Sequence, residues 1–267
     1  MSELKELKFP AFYSQLAKDF IDTITQSLAF DFSIAKGLEL INIPVDILQN
    51  PEALLDGDQV CLMISLGKML AKKDEPFSLQ ILQHFKEDTL GMLGLAIINA
   101  QDAEQALNLF QEYTELFIPG FDFSINYSDR YLDVEILPLA NFNKSESTLV
   151  ELICCAFDFY GKRSGFEIQA EFYFSHDVSD YKSQLEQQFE SPVYSHSPIN
   201  RIRIPRAVLA QRVKSPNSSM QAVYIAQLNL EKAKHEQQSS ISFQARRIMH
   251  YSGKKGIFLN RDQLADQ

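Results

Sequence analysis

Hydrophobic positions set the architecture in two successive rhythms. Phe12, Leu16, Phe20, Ile24 and Leu28 recur every four residues, which predicts an amphipathic helix. Pro44 opens a short helix, "PVDILQ". Asp56-Gly57 reads as a turn, with Asp58 capping a helix that carries Val60, Ile64, Gly67 and Ala71. "PFSLQILQHF" follows from Pro76. The run of 88–117 splits at Ala100-Gln101, where Asp102 and Gln105 form a capping box ahead of the stripe Ala106, Phe110, Tyr113 and Phe117.

After Pro119-Gly120 the period falls to two. Phe121, Phe123, Ile125 and Tyr127 share one face, a turn at Ser128-Asp129 follows, and Leu132, Val134 and Ile136 alternate with charges; this predicts a hairpin. A helix is expected over 148–161. "FEIQAEFYF" (166–174) is the cleanest strand pattern in the chain. A helix of about 178–189, short strands at "PVYSH" and "NRIRI", and a short helix from Pro205 come next. Beyond the break "SPNSS", a helix of 219–235 carries Met220, Val223, Gln227 and Leu230 at seam-like spacing, and a further helix spans about 241–251. The expected class is α+β: an N-terminal helical subdomain, then a small mixed or antiparallel sheet with packed helices in the order ββαβαββ, then a C-terminal helix pair. The boundaries read as 1–118 for the helical subdomain, 119–215 for an α+β ligand-binding subdomain, 216–255 for a helical dimerisation and linker segment, and 256–267 for the start of another domain.

Net charge sharpens this division. The chain carries −10, but residues 241–267 carry +3 and residues 1–240 carry −13. An acidic body does not bind a polyanion by itself, so affinity for nucleic acid is expected only where the sign reverses. No apolar run is long enough for a membrane span, and the N-terminus lacks a signal-peptide core, which leads us to expect a cytoplasmic protein with no membrane partner. The three cysteines, Cys61, Cys154 and Cys155, fit a reducing compartment. Twenty phenylalanines and no tryptophan imply a large, soft apolar interior that is either plain core or the wall of a pocket.

Enzyme signatures are missing. There is no Gly-rich phosphate loop, no Gly-x-Ser-x-Gly elbow and no His-Glu-x-x-His, so no enzymatic activity, cofactor or metal is expected. Cys154-Cys155 reads better as buried apolar surface than as a redox or metal site. His176-Asp177 reads as a strand end and a helix cap more readily than as an acid/base pair. Arg201 and Arg203 alternate with Ile202 and Ile204, so both leave one face of a strand, where they grip a carboxylate or form a charged outer surface. With Tyr127, Arg130, Tyr131 and His176, they are the candidate ligand-binding residues. Met220, Val223, Gln227 and Leu230 are the candidate dimer contact, the competing reading being that this stripe packs on its own chain.

Two segments resemble AraC-type transcription regulators. In the first, "TLGMLGLAIINAQDAEQALNLFQEY", the matching positions are Leu90, Gly91, Leu93, Gly94, Ala106, Leu107 and Tyr113; Leu95 departs from an expected Tyr, and Asp102-Ala103 from Thr-Leu. In the second, Phe174, His176, Tyr181, Phe189, Pro192, Val193, Asn200, Ile204, Pro205 and Leu209 match, whereas Tyr194-Ser195-His196 departs from the family's Phe-Gly. The resemblance is to the branch with an arabinose-binding-like sensing domain, which includes ornithine-utilisation-type regulators. It implies a homodimeric sensor that binds a small organic effector, apolar or carboxylate-bearing. Such a sensor presents a C-terminal helix-turn-helix domain to DNA. Asn260, Gln263 and the stretch "LNRDQLADQ" would then open the first helix of that domain, with the chain cut before its remainder. The alternative is a stand-alone carrier of a small molecule, lipid or haem without a DNA role.

Overall fold

A computed structural model describes residues 3–9, 37–39, 43 and 54–238. The helices expected at 12–28, from Pro44 and at 241–251, and the capped start at Asn260, lie outside these residues.

A two-stranded antiparallel ribbon of β1 (Lys8–Phe9) and β2 (Leu55–Asp56) leads into α1 (Gly57–Leu70). The cap of α1 is Asp56, two residues before the expected Asp58. The Asp56 carboxylate accepts the Gln59 N–H at 2.9 Å, and the Gln59 side chain accepts the Asp56 N–H at 2.9 Å. This reciprocal box satisfies two amides that a cap at Asp58 would leave open. Asp58 falls in the first turn, where its charge meets the helix dipole.

Next come α2 (Phe77–Leu82), α3 (Gly91–Ile98) and α4 (Ala103–Tyr113). The chain breaks between α3 and α4 where the sequence placed the break. Asp102 accepts the Gln105 N–H at 2.9 Å. The Gln105 side chain bonds the Gln101 N–H at 2.8 Å, so the return bond of the expected box reaches one residue further out.

The sheet is formed by β3 (Phe121–Tyr127), β4 (Tyr131–Pro138), β5 (Glu171–Tyr173), β6 (Val193–Tyr194) and β7 (Asn200–Pro205). Its order is β3-β4-β7-β5-β6, and only the β5–β6 pair is parallel. With α5 (Glu146–Ser164) after β4 and α6 (Lys182–Phe189) after β5, the order is the expected ββαβαββ and the class is α+β. Phe123, Leu132, Val134, Ile136, Phe172, Ile202 and Ile204 are buried on one face. Phe123 meets Phe110 of α4 edge-on at 5.1 Å, and Phe172 stacks on Phe189 of α6 at 4.2 Å. Helix α5 is buried on nearly all sides, through Leu149, Val150, Ile153, Cys154, Cys155 and Ala156. Gly165, at φ +84, ends it in the left-handed conformation that glycine adopts without strain.

Two expectations are corrected. The strand pattern of 166–174 yields only the three residues of β5, although Phe166, Ala170, Phe172 and Phe174 are buried. The reason lies in β7. The pairing of Glu171 with Arg203 places Gln169 opposite Pro205. The Arg206 N–H points to β4, where it bonds the Arg130 carbonyl at 2.8 Å, so position 205 faces β5. Proline has no N–H to give there, and the ladder stops. The second correction concerns α6, which starts at Lys182. The Asp177 carboxylate accepts the Ser179 N–H at 2.9 Å, and this local turn keeps 177–180 out of the helix. Asp177 therefore caps a turn and not α6.

Helix α7 (Ser218–Gln238) lies across α3. Gln221 and Leu228 are buried, at 4% and 0% exposure, while Met220, Val223 and Leu230 on the opposite side are 42%, 61% and 59% exposed. The stripe expected at 219–235 therefore faces away from its own chain.

Candidate effector site

The Leu-Gly-x-Leu-Gly stretch has a geometric purpose. Gly91 has φ +52 at the start of α3, a conformation that side chains resist. A Cβ at Gly94 would come within 2.4 Å of the Tyr160 hydroxyl and 2.6 Å of the Glu87 carbonyl. Glycine thus lets α3 lie directly on α5. The Tyr160 hydroxyl uses the proximity, accepting the Leu90 N–H at 2.9 Å and donating to the Glu87 carbonyl at 3.2 Å. Burial holds this phenol well above its ordinary range, so it stays neutral.

Between this seam and the inner face of the sheet is an apolar cavity of about 60 Å³. Leu107 and Phe110 of α4, Ala156 of α5, Leu132 of β4 and Ile204 of β7 are among its walls. Phe157, Ile168 and Leu209, which also line it, are only partly buried. Ala103, Ala106 and Ala156 keep the space open where longer side chains would fill it, and Gly161 makes room for Ile168. Sequence reasoning saw several of these residues as core. The signal it passed over was this cluster of small residues on facing elements, which a close-packed interior would otherwise fill.

The helices that wall the cavity also carry α7. The Gln221 side-chain amide donates to the Ala96 carbonyl of α3 at 3.4 Å and to the Gln105 side chain of α4 at 3.1 Å. The Tyr113 hydroxyl at the end of α4 donates to Asn229 at 2.7 Å, and Lys232 reaches Glu112 at 3.4 Å. Helices α3 and α4 therefore touch both the cavity and α7.

The candidate ligand residues lie elsewhere. Tyr131, Arg201 and Arg203 are on the outer face of the sheet. Arg203 makes a two-pronged bond to Asp133 at 2.7 and 2.9 Å, and Arg201 stands 3.5 Å from the same carboxylate. The hydrogen bonds from Arg203 hold the Asp133 carboxyl below its usual range. Arg201 lies 4.2 Å over the Tyr173 ring, which stacks on Tyr194 at 4.7 Å, and its Nε has no partner. Tyr127 and Arg130 sit at the exposed hairpin end, with the Arg206 guanidinium 5.8 Å above the Tyr127 ring.

His176 is apart from all of these. Its Nε2 is 2.9 Å from Glu151, a carboxylate only 5% exposed that also accepts the Tyr181 hydroxyl at 2.7 Å and the Ser78 hydroxyl at 2.6 Å. These three partners outweigh the desolvation of Glu151 and keep its carboxyl below the usual range. The cluster ties α2, α5 and the segment before α6 together. His176 thus pairs with Glu151, while Asp177 faces His196 at 3.6 Å. Cys154 and Cys155 are buried, and desolvation pushes both thiols well up, towards the unreactive form. Among the described residues, no three His, Cys, Asp or Glu are grouped as metal ligands, and no helix is long and apolar enough to cross a membrane.

A family model described as the arabinose-binding domain of AraC transcription regulator, N-terminal, matches residues 32–213. No curated protein matches the chain. Among solved structures, the transcriptional regulator CdpR from Pseudomonas aeruginosa is similar in fold, with a TM-score of 0.50 and 15% identity over 81% of this chain. The similarity spans 65% of that regulator's length.

Proposed function

This chain belongs to the family of AraC transcription regulators that carry an N-terminal arabinose-binding domain, and from that premise we propose that it is the effector-sensing and dimerising part of such a regulator. The observation that carries this reading is the double role of α3 and α4. One side of the pair walls the cavity, and the other side holds α7. The family match ends at residue 213, and α7 begins just beyond it at Ser218. Its free stripe of Met220, Val223, Gln227 and Leu230 is the contact through which two copies pair. An effector that fits one arrangement of α3 and α4 better than another shifts the population towards it. Through α7 it resets how two C-terminal helix-turn-helix domains meet their DNA half-sites, and pairing raises DNA affinity by effective concentration.

The test is sedimentation of the chain beside Val223→Asp/Leu230→Asp. The wild type is expected to sediment as a dimer. The variant should sediment as a monomer with its circular dichroism spectrum unchanged, because both side chains are exposed in the single chain. A variant that remains dimeric, or a wild type that stays monomeric at all concentrations, overturns the α7 interface.

One observation favours a second location for the effector. The Arg201 Nε has no partner and its guanidinium lies over Tyr173, so the outer face offers a site for a carboxylate-bearing effector. Arg201→Gln abolishing effector binding would move the site there.

A further inference from the structure

We propose that the cavity takes an uncharged apolar molecule, the size of one aromatic ring or a short alkyl chain, and that residues 166–170 are a strap displaced on entry, with Ile168 as the side chain that yields. This rests on the sensor reading above and names the ligand class of its site.

The lining decides the class. Its one side-chain polar atom is the Tyr160 hydroxyl, which already accepts from Leu90 and donates to Glu87. A charged or strongly hydrogen-bonding ligand would leave its polar groups unpaired there. The nearest arginines of β7, Arg201 and Arg203, point off the opposite face of the sheet, where Asp133 occupies them. Apolar surface is what the walls can reward.

The size decides the movement. A cavity of about 60 Å³ is well short of the roughly 150 Å³ that admits benzene in an engineered case, so a ring-sized ligand needs one wall to give. The walls from α3, α4, α5, β4 and β7 are regular elements held by ladders or helical bonds. The wall from 166–170 is not. Pro205 denies it a ladder bond to β7, and two side-chain bonds from Gln211 hold it instead. Gln211 accepts the Glu167 N–H at 2.8 Å and donates to the Glu167 carbonyl at 3.1 Å. The Phe166 N–H to Gly161 carbonyl bond, at 3.1 Å, anchors its start. Glu167 and Gln169 are exposed, so water can replace the Gln211 bonds at little net cost. Ile168 seals the opening by occupying the space over Gly161, where a Cβ would lie 2.4 Å from its Cδ1. The strap lies outside any ladder or helix and is held mainly by side-chain bonds, a property expected of a moving part.

The experiment is methyl NMR on the whole chain titrated with toluene, and separately with benzoate, alongside Ile168→Ala. Toluene is expected to shift the Leu107 and Ile168 methyls saturably, while benzoate leaves them unmoved. Removing the plug should tighten toluene binding about tenfold, the equivalent of roughly two buried methylene groups. The proposal is overturned if toluene leaves the Leu107 methyls unmoved in both proteins, or if benzoate binds there as tightly. Sedimentation of the same samples separates the two readings. Toluene bound in the cavity without any response of the dimer supports this ligand class and counts against the sensor reading. A dimer that persists while toluene fails to bind overturns the ligand class and leaves the sensor reading with another site.

Discussion

On the inner face of β4 and β7, Leu132, Val134, Ile202 and Ile204 meet helices. On the outer face of the same strands, Tyr131, Asp133, Arg201 and Arg203 meet one another. Both sets come from one alternation, and they do different physical work. The inner residues leave water and gain in proportion to their area, roughly 1.5–3 kcal/mol for each large side chain. The outer residues stay partly wet, so their ion pairs and ring contacts are screened and each is worth about 1 kcal/mol or less. The inner face supplies stability and a cavity; the outer face keeps the strands in register and in solution.

The largest effect should come from the inner face. Ile202→Ala, at a fully buried position, is expected to cost about 3 kcal/mol in urea unfolding. A loss near that of an outer-face change would collapse the distinction. Asp133→Ala should cost about 1 kcal/mol, since it frees two arginines that water can solvate. The pH dependence separates the faces further. Because Arg203 depresses the Asp133 carboxyl in the folded state, its contribution is complete above the unfolded aspartate range near ~3.9 and fades as pH falls below it. The stability gap between wild type and Asp133→Asn should therefore close in acid, whereas the gap to Ile202→Ala should not. The smallest change in stability, within about 0.5 kcal/mol, is expected from Pro205→Val. It restores an N–H facing Gln169, and slow hydrogen exchange at the new amide would show that proline alone stops the ladder.

The sequence was most readable where a local rule decides. Asp102 and its helix start, the β3–β4 hairpin and the ββαβαββ order all follow from residues within one or two turns of each other. The cap of α1 and the start of α6 were misplaced because Asp56 and Asp58, or Asp177 and its neighbours, offer rival local bonds. The strand at 166–174 failed for a non-local reason: its fate is set by Pro205, over thirty residues away. The site was less readable still. A cavity is a property of facing elements, and no single stretch records that Ala106, Ala156 and Gly161 converge. Conversely, the sequence does not show that Asp133 sits opposite Arg201 and Arg203.

The unpaired strap has a consequence for how the protein behaves in crowded solution. "FEIQAEF" is rich in β-forming residues, and in the folded chain its backbone is not enclosed by a ladder along 166–170. Whenever the Gln211 bonds open, it becomes a template on which another chain can lay a strand. Glu167 and Glu171 bracket that stretch and place like charges in any in-register stack, so they act as guards against self-association. Replacing Glu167 with Val should leave the fold intact and shorten the time before scattering rises in a warmed, concentrated sample. The openness that lets a ligand in is, on this view, held in check by two carboxylates that take no part in binding it.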